Sequence, residues 1–159
     1  MKMTTPTTDN YIDINLSATR KKRIRVDGDD NRILELNTSD INILSRLRDG
    51  YPKLNALSSK LATIKDIDES DDIQENIAAT ANFIDEIDTE MRKILDFIFD
   101  ANVSELCAPS GSMYDMFNGQ YRFEIIIEAL LKLYEDNINA EYKKMAKRVQ
   151  KHTDKYIKG

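Results

Sequence analysis

The chain of 159 residues contains no tryptophan, one cysteine, one histidine, three prolines and five glycines. Each scarcity excludes a class of protein. A single cysteine, Cys107, cannot close an intramolecular disulfide, and the N-terminal MKMTTPTTDN lacks the apolar core of a secretory signal, so the sequence predicts a reducing cytoplasm. Structural zinc takes about three or four Cys, His or carboxylate ligands, and Cys107 and His152 are the only soft candidates. The glycines never form a phosphate-cradling fingerprint: Ser110-Gly111-Ser112 is too short and no Gly-Lys-Ser or Gly-Lys-Thr follows it. No apolar run approaches the roughly 20 residues that cross a bilayer, since Ile125 to Ile127 is interrupted by Glu128 and Lys132.

What is abundant is charge, and it is segregated. The formal net charge is −5, yet residues 17 to 26 carry Arg20, Lys21, Lys22, Arg23 and Arg25 with no acid, a local +5. Residues 66 to 100 hold twelve acids against Arg92 and Lys93, a local −10. Residues 143 to 158 return to +6, with seven bases against Asp154. Such runs ordinarily form solvated faces, and complementary blocks also permit long helices of separate copies to align. Arg20, Lys21, Lys22, Arg23, Arg25, Lys147, Arg148 and Lys151 are the candidate basic patch. A nucleic-acid partner is disfavoured, because the negative total is the opposite of the usual footprint.

Periodicity predicts an α+β domain dominated by helices, in a chain long enough to bury roughly 70% of its unfolded surface. Residues 1 to 10 read as a flexible arm and residues 11 to 159 as one domain. Ile12, Ile14 and Leu16 alternate with Asp13 and Asn15, which predicts a strand half buried on one face. Arg23 to Val26 and Arg32 to Leu36 complete a small antiparallel sheet over 11–36, the latter two joined by turn chemistry at Asp27-Gly28-Asp29-Asp30. Asn37 to Asp40 open a helical region over 39–65, in which Gly50 ends one helix and Pro52 reinforces the break, with a second helix or a kinked continuation beyond. Residues 66 to 72 read as an acidic junction. Ile77, Ala81, Ile84, Ile87, Met91, Ile94 and Ile98 then step by 4, 3, 3, 4, 3 and 4, one stripe of a long helix over 72–99. A second long helix is predicted over 120–156, apolar in its first half and mainly lysine in its last turns, which should project into solvent.

The remaining motifs carry little chemistry. Asp27, Asp29 and Asn31 begin a calcium-loop pattern, but Arg32 stands where glycine is needed and Thr38 where glutamate is needed; Asp66, Asp68 and Ser70 fail in the same way. Cys107 beside Leu106 and Ala108 reads as a packed thiol rather than a nucleophile, and His152 among lysines near a helix end as a cation. No catalytic, metal or cofactor residue is therefore assigned. The candidate partner-binding residues are Ile84, Ile87, Met91, Ile94 and Ile98 of the stripe, with Met113, Tyr114, Met116 and Phe117 of an apolar loop between the Ala108 to Ser112 and Asn118-Gly119 turn signals.

Several segments carry a resemblance together: Ile12-Asp13-Ile14-Asn15-Leu16, Asn31 to Asp40, Tyr51-Pro52-Lys53-Leu54, Cys107 to Asp115, and Lys151 to Tyr156. Across most of its length the chain is similar to the tail assembly chaperones of long-tailed, siphovirus-like phages of Gram-positive hosts. The resemblance implies a non-enzymatic protein of the host cytoplasm that keeps tape-measure and tail-tube proteins soluble during assembly and is absent from the finished particle. It also implies the short member of a pair whose longer form arises by frameshifting. A homo-oligomer is expected, and no membrane partner. The rival readings are a structural tail or connector protein of the virion and a small nucleic-acid-binding or regulatory phage protein.

Overall fold

An Asp-Gly pair at the tip of two apolar-alternating runs closes a hairpin when both residues tolerate left-handed backbone. The computed structural model of the protein describes residues 10–63 and 73–157. In it, β1 (Lys22–Arg25) pairs antiparallel with β2 (Ile33–Leu36), Ile24 opposite Leu34 and Arg23 opposite Glu35. Asp27 (φ 52°) and Gly28 (φ 70°) form the mirror-image type I turn, with Asp29 N–H donating to the Val26 carbonyl at 3.0 Å. Leu34 and Leu36 turn inward and are buried, whereas Arg23, Arg25 and Glu35 face solvent.

The expected strand at the start of the sheet does not form. Tyr11, Ile12, Ile14 and Leu16 are exposed, and the segment runs into a 3-10 turn at Ser17–Thr19. The turn is held locally: Thr19 N–H and Thr19 Oγ1 both donate to the Leu16 carbonyl, at 2.9 and 2.7 Å. Alternation describes a face prepared for cover, but a strand also needs a neighbour, and among the described residues β1 pairs with β2 alone. The arm expected over 1–10 lies outside the described residues except for Asn10, as does the acidic junction at 66–72.

α1 (Ile43–Leu61) is one helix that passes through both Gly50 and Pro52. Gly50 does not end it, because the position is buried against Ile98 of the next helix, where tertiary packing outweighs the low helix propensity of glycine. Pro52 sits on the exposed side, where the Arg48 carbonyl it deprives of an intrahelical donor can be hydrated. Helix onset is two residues later than the 37–40 signal implies, because Asp40 Oδ1 first accepts the Asn42 N–H in a local turn. Burial raises the Asp40 carboxyl pKa, but hydrogen bonds from Arg46 and Asn42 outweigh it and hold the group below the usual carboxylate range.

α2 (Ile73–Phe99) spans roughly 40 Å at about 1.5 Å per residue. It ends where Asp100 turns left-handed (φ 49°) and Ala101 N–H reaches back to the Asp96 carbonyl. The short α3 (Val103–Cys107) follows, its Ser104 N–H and Oγ both donating to the Asp96 carboxylate, at 2.7 and 2.9 Å. The Asn118-Gly119 signal closes a second hairpin where the sequence predicts a loop, β3 (Met116–Phe117) with β4 (Gln120–Tyr121). α4 (Arg122–Ile157) is 36 residues, about 54 Å. The buried side chains of β2, α1, α2, α3 and the first half of α4 form one cluster, in which Phe99 and Tyr134 approach with ring centroids 6.0 Å apart.

Candidate protein-binding surface

Three arginines hold α3 and the irregular segment that follows it in place. Arg32 donates to the carbonyls of Leu106 (2.7 Å) and Cys107 (3.1 Å). Arg92 donates to those of Ser104, Ala108 and Gly111 at 3.2, 3.0 and 2.8 Å while paired with Asp88, whose other oxygen accepts the Met113 N–H. Arg122 donates to the Ser112 carbonyl at 3.1 Å and lies over the Phe117 ring, 4.9 Å from its centroid. The last carbonyls of α3 and those of Ala108, Gly111 and Ser112 after it thus accept from guanidinium groups that lie before β2, in α2 and at the start of α4.

This arrangement relocates the apolar surface. Ile87, Met91 and Ile98 are buried, as is Met113, so these four residues face the interior and offer nothing to a partner. Ile84, Ile94 and Tyr114 are half-buried. The stripe is covered because α1 packs along it, its Gly50 against Ile94 and Ile98. Of the nine apolar candidates only Met116 and Phe117, on the β3 hairpin, are exposed.

Two other apolar surfaces are open. The first is a groove of about 460 Å³ between β1 and the first half of α4, lined by Ile24, Val26, Phe117, Ile125, Ala129 and Leu133, with Asp27 and Arg122 at its margin. The Cys107 thiol borders it, and burial pushes its pKa up to about 11. The thiol is therefore protonated at neutral pH, and we expect iodoacetamide at pH 8 to alkylate Cys107 about a hundredfold more slowly than an exposed cysteine peptide. Equal rates would show that the thiol is not desolvated.

The second surface lies on α4 beyond the core. Every residue from Glu141 to Lys151 is exposed, so the helix leaves the domain as a projecting rod. Ile138, Tyr142, Met145 and Val149 step by 4, 3 and 4 along it, the spacing of a helix-pairing seam. Tyr142, Met145 and Val149 are exposed and Ile138 half-buried. At its root a hollow of about 150 Å³ joins Tyr142 and Met145 to the exposed Ile41 of the segment before α1, beside a hydrogen bond from Asn137 Nδ2 to Ser39 Oγ at 2.9 Å. Ile138, Tyr142, Met145 and Val149 fall within the helix predicted over 120–156 and are not among the candidate binding residues. The available signal was that apolar 3 and 4 steps persist where the helix turns lysine-rich.

The basic candidates are all exposed. Arg23 and Arg25 stand on the outer face of β1, in ion pairs with Glu35 (3.9 Å) and Asp30 (2.7 Å). Arg20 and Lys22 share a hollow with Asn137 and Glu141 of α4, six residues before Lys147, while Lys21 precedes β1. Lys147, Arg148 and Lys151 flank the projecting seam. His152 belongs to α4, and its side chain lies outside what is described. Among the described residues no group of three or more His, Cys, Asp or Glu side chains is placed to hold a metal ion, and no helix is long and apolar enough to cross a membrane. Comparison of the chain with protein-family models, curated proteins and solved structures finds no match, so the surfaces and the resemblance carry the functional reading.

Proposed function

We propose that this protein is a phage tail assembly chaperone that binds partner proteins without chemistry, its client a helical segment of the tape-measure protein, with the tail-tube protein as a second partner. One observation carries the reading: a helix leaves the core with an exposed seam of Tyr142, Met145 and Val149 and with Lys143, Lys144, Lys147, Arg148 and Lys151 around it. An apolar seam supplies affinity for any amphipathic helix, and the basic rim selects one with acidic flanks. Keeping a long apolar client dispersed before it is packed into a tail requires contact of this reversible kind.

The test is co-expression with a tape-measure and a tail-tube protein of a siphovirus-like phage, followed by capture from lysate. The native chain should retain the tape-measure protein, and the double substitution Tyr142→Glu with Met145→Glu should abolish retention while leaving the far-ultraviolet circular dichroism unchanged, since both positions are exposed. Absence of a complex with either protein, or undiminished capture by the double variant, rejects the reading. Stoichiometric presence in purified particles would instead identify a structural component of the tail.

A further inference from the structure

The exposed N-terminal segment and the groove beside β1 fit one another. Ile12, Ile14 and Leu16 are 94%, 75% and 59% exposed, a state that apolar side chains at alternate positions do not favour. Extended, they stand on one face about 6.6 Å apart. Along the groove α4 presents Ile125, Ala129 and Leu133 at four-residue steps, about 6.0 Å apart. Three side chains of one row therefore meet three of the other with an accumulated offset of about 1 Å.

The backbone is prepared as well. Val26 N–H donates to the Arg32 carbonyl at 2.9 Å, and with Ile24 opposite Leu34 the alternation of an antiparallel ladder turns the N–H and C=O groups of Arg23 and Arg25 away from β2, toward the free edge. Charge completes the match. Arg23 already has Glu35 on one side; a strand added on the other places Asp13 beside Arg23 and Arg25, so acid, base and acid follow one another across the outer face. The Ser17–Thr19 turn separates the segment from its own β1, with which it forms no ladder among the described residues, and the hydrogen bonds to the Leu16 carbonyl brace that turn.

We propose that residues Tyr11–Leu16 of one copy add as a third strand to β1 of a second copy, seating Ile12, Ile14 and Leu16 over Ile125, Ala129 and Leu133, and that the second copy returns its own segment to form a strand-exchanged dimer. The dimer requires neither the α4 seam nor any client.

Sedimentation velocity on the full chain tests it with two complementary variants. Ile14→Asp spoils the segment and leaves the groove; Ala129→Glu fills the groove and leaves the segment, and both positions are exposed, so the circular dichroism is unchanged. The native chain should pass from 18.3 kDa to twice that mass with rising concentration. Each variant should weaken dimerisation about a hundredfold by placing a charge in the apolar contact. Mixing the two should recover a heterodimer, since that pair retains one intact segment and one intact groove. A native chain that stays monomeric, a dimer indifferent to both substitutions, or a mixture that does not associate each overturns the proposal. Tyr142→Glu with Met145→Glu should leave this dimer intact, so failure of the exchange and failure of the client reading are separately visible.

Discussion

Replacing Arg92 with leucine should lower the stability of the chain by about 2–4 kcal/mol, a fall in melting temperature on the order of 5–15 °C for a protein of this size. The guanidinium satisfies three carbonyls, of Ser104, Ala108 and Gly111, and pairs with Asp88 at 2.8 Å. Its side chain and that of Asp88 are about one-fifth exposed, so water relieves only part of the loss. Leucine fills much of the volume but donates nothing: the Ala108 carbonyl loses this donor, the Ser104 carbonyl keeps only the Ala108 N–H at 3.0 Å, the exposed Gly111 carbonyl turns to water, and the Asp88 carboxylate loses its counter-charge. Asp88 also accepts the Met113 N–H at 2.7 Å, so a displaced Asp88 loosens the anchor of the buried Met113 as well. Thermal denaturation followed by circular dichroism gives the shift. The companion Arg92→Lys separates charge from geometry: an ammonium can keep one pair but cannot span carbonyls on several sides, so it should recover less than half of the loss. Full recovery would mean that a positive charge alone suffices there.

The same network marks what sequence reading could reach. The steps of Ile77 to Ile98 place α2 correctly, and Asp27-Gly28 places the hairpin tip, because each depends on residues within a few positions of one another. Arg92 bridging to Gly111, and Arg32 to Leu106 across 74 positions, leave no local trace, since an arginine with acidic residues close to it in sequence reads as surface charge. Periodicity likewise shows that Ile87, Met91 and Ile98 have a covered side without saying what covers it. The cover is α1, so that stripe became core, and the exposed seam is that of Tyr142, Met145 and Val149. Tyr11 to Leu16 is the converse case: a strand-like pattern that pairs with no strand among the described residues.

Gly50 yields the second large effect, and its sign is opposite to the one helix propensity assigns. In an exposed helix Gly→Ala stabilises by about 1 kcal/mol. Here a Cβ at position 50 would lie 2.8 Å from Ile98 Cγ1 and 3.0 Å from its Cδ1, with Ile94 Cγ2 at 3.3 Å. Ile98 is buried at the end of α2, and its Cγ1 is not a free chain end that swings aside, so α1 and α2 must separate or Ile98 must leave its rotamer. Gly50→Ala should therefore destabilise by about 1–2 kcal/mol net, and Gly50→Val by more, as overpacking exceeds the propensity gain. A double-mutant cycle separates the two contributions. Ile98→Ala alone removes both obstructing atoms and should cost about 2–5 kcal/mol as a core truncation. In that background the contact with Cγ1 and Cδ1 is gone, so adding Gly50→Ala should become neutral or stabilise by up to about 1 kcal/mol. Chemical denaturation of the four proteins measures the cycle. If Gly50→Ala were equally harmful with Ile98 present and absent, close approach of α1 to α2 would not be the reason that glycine occupies the middle of a helix.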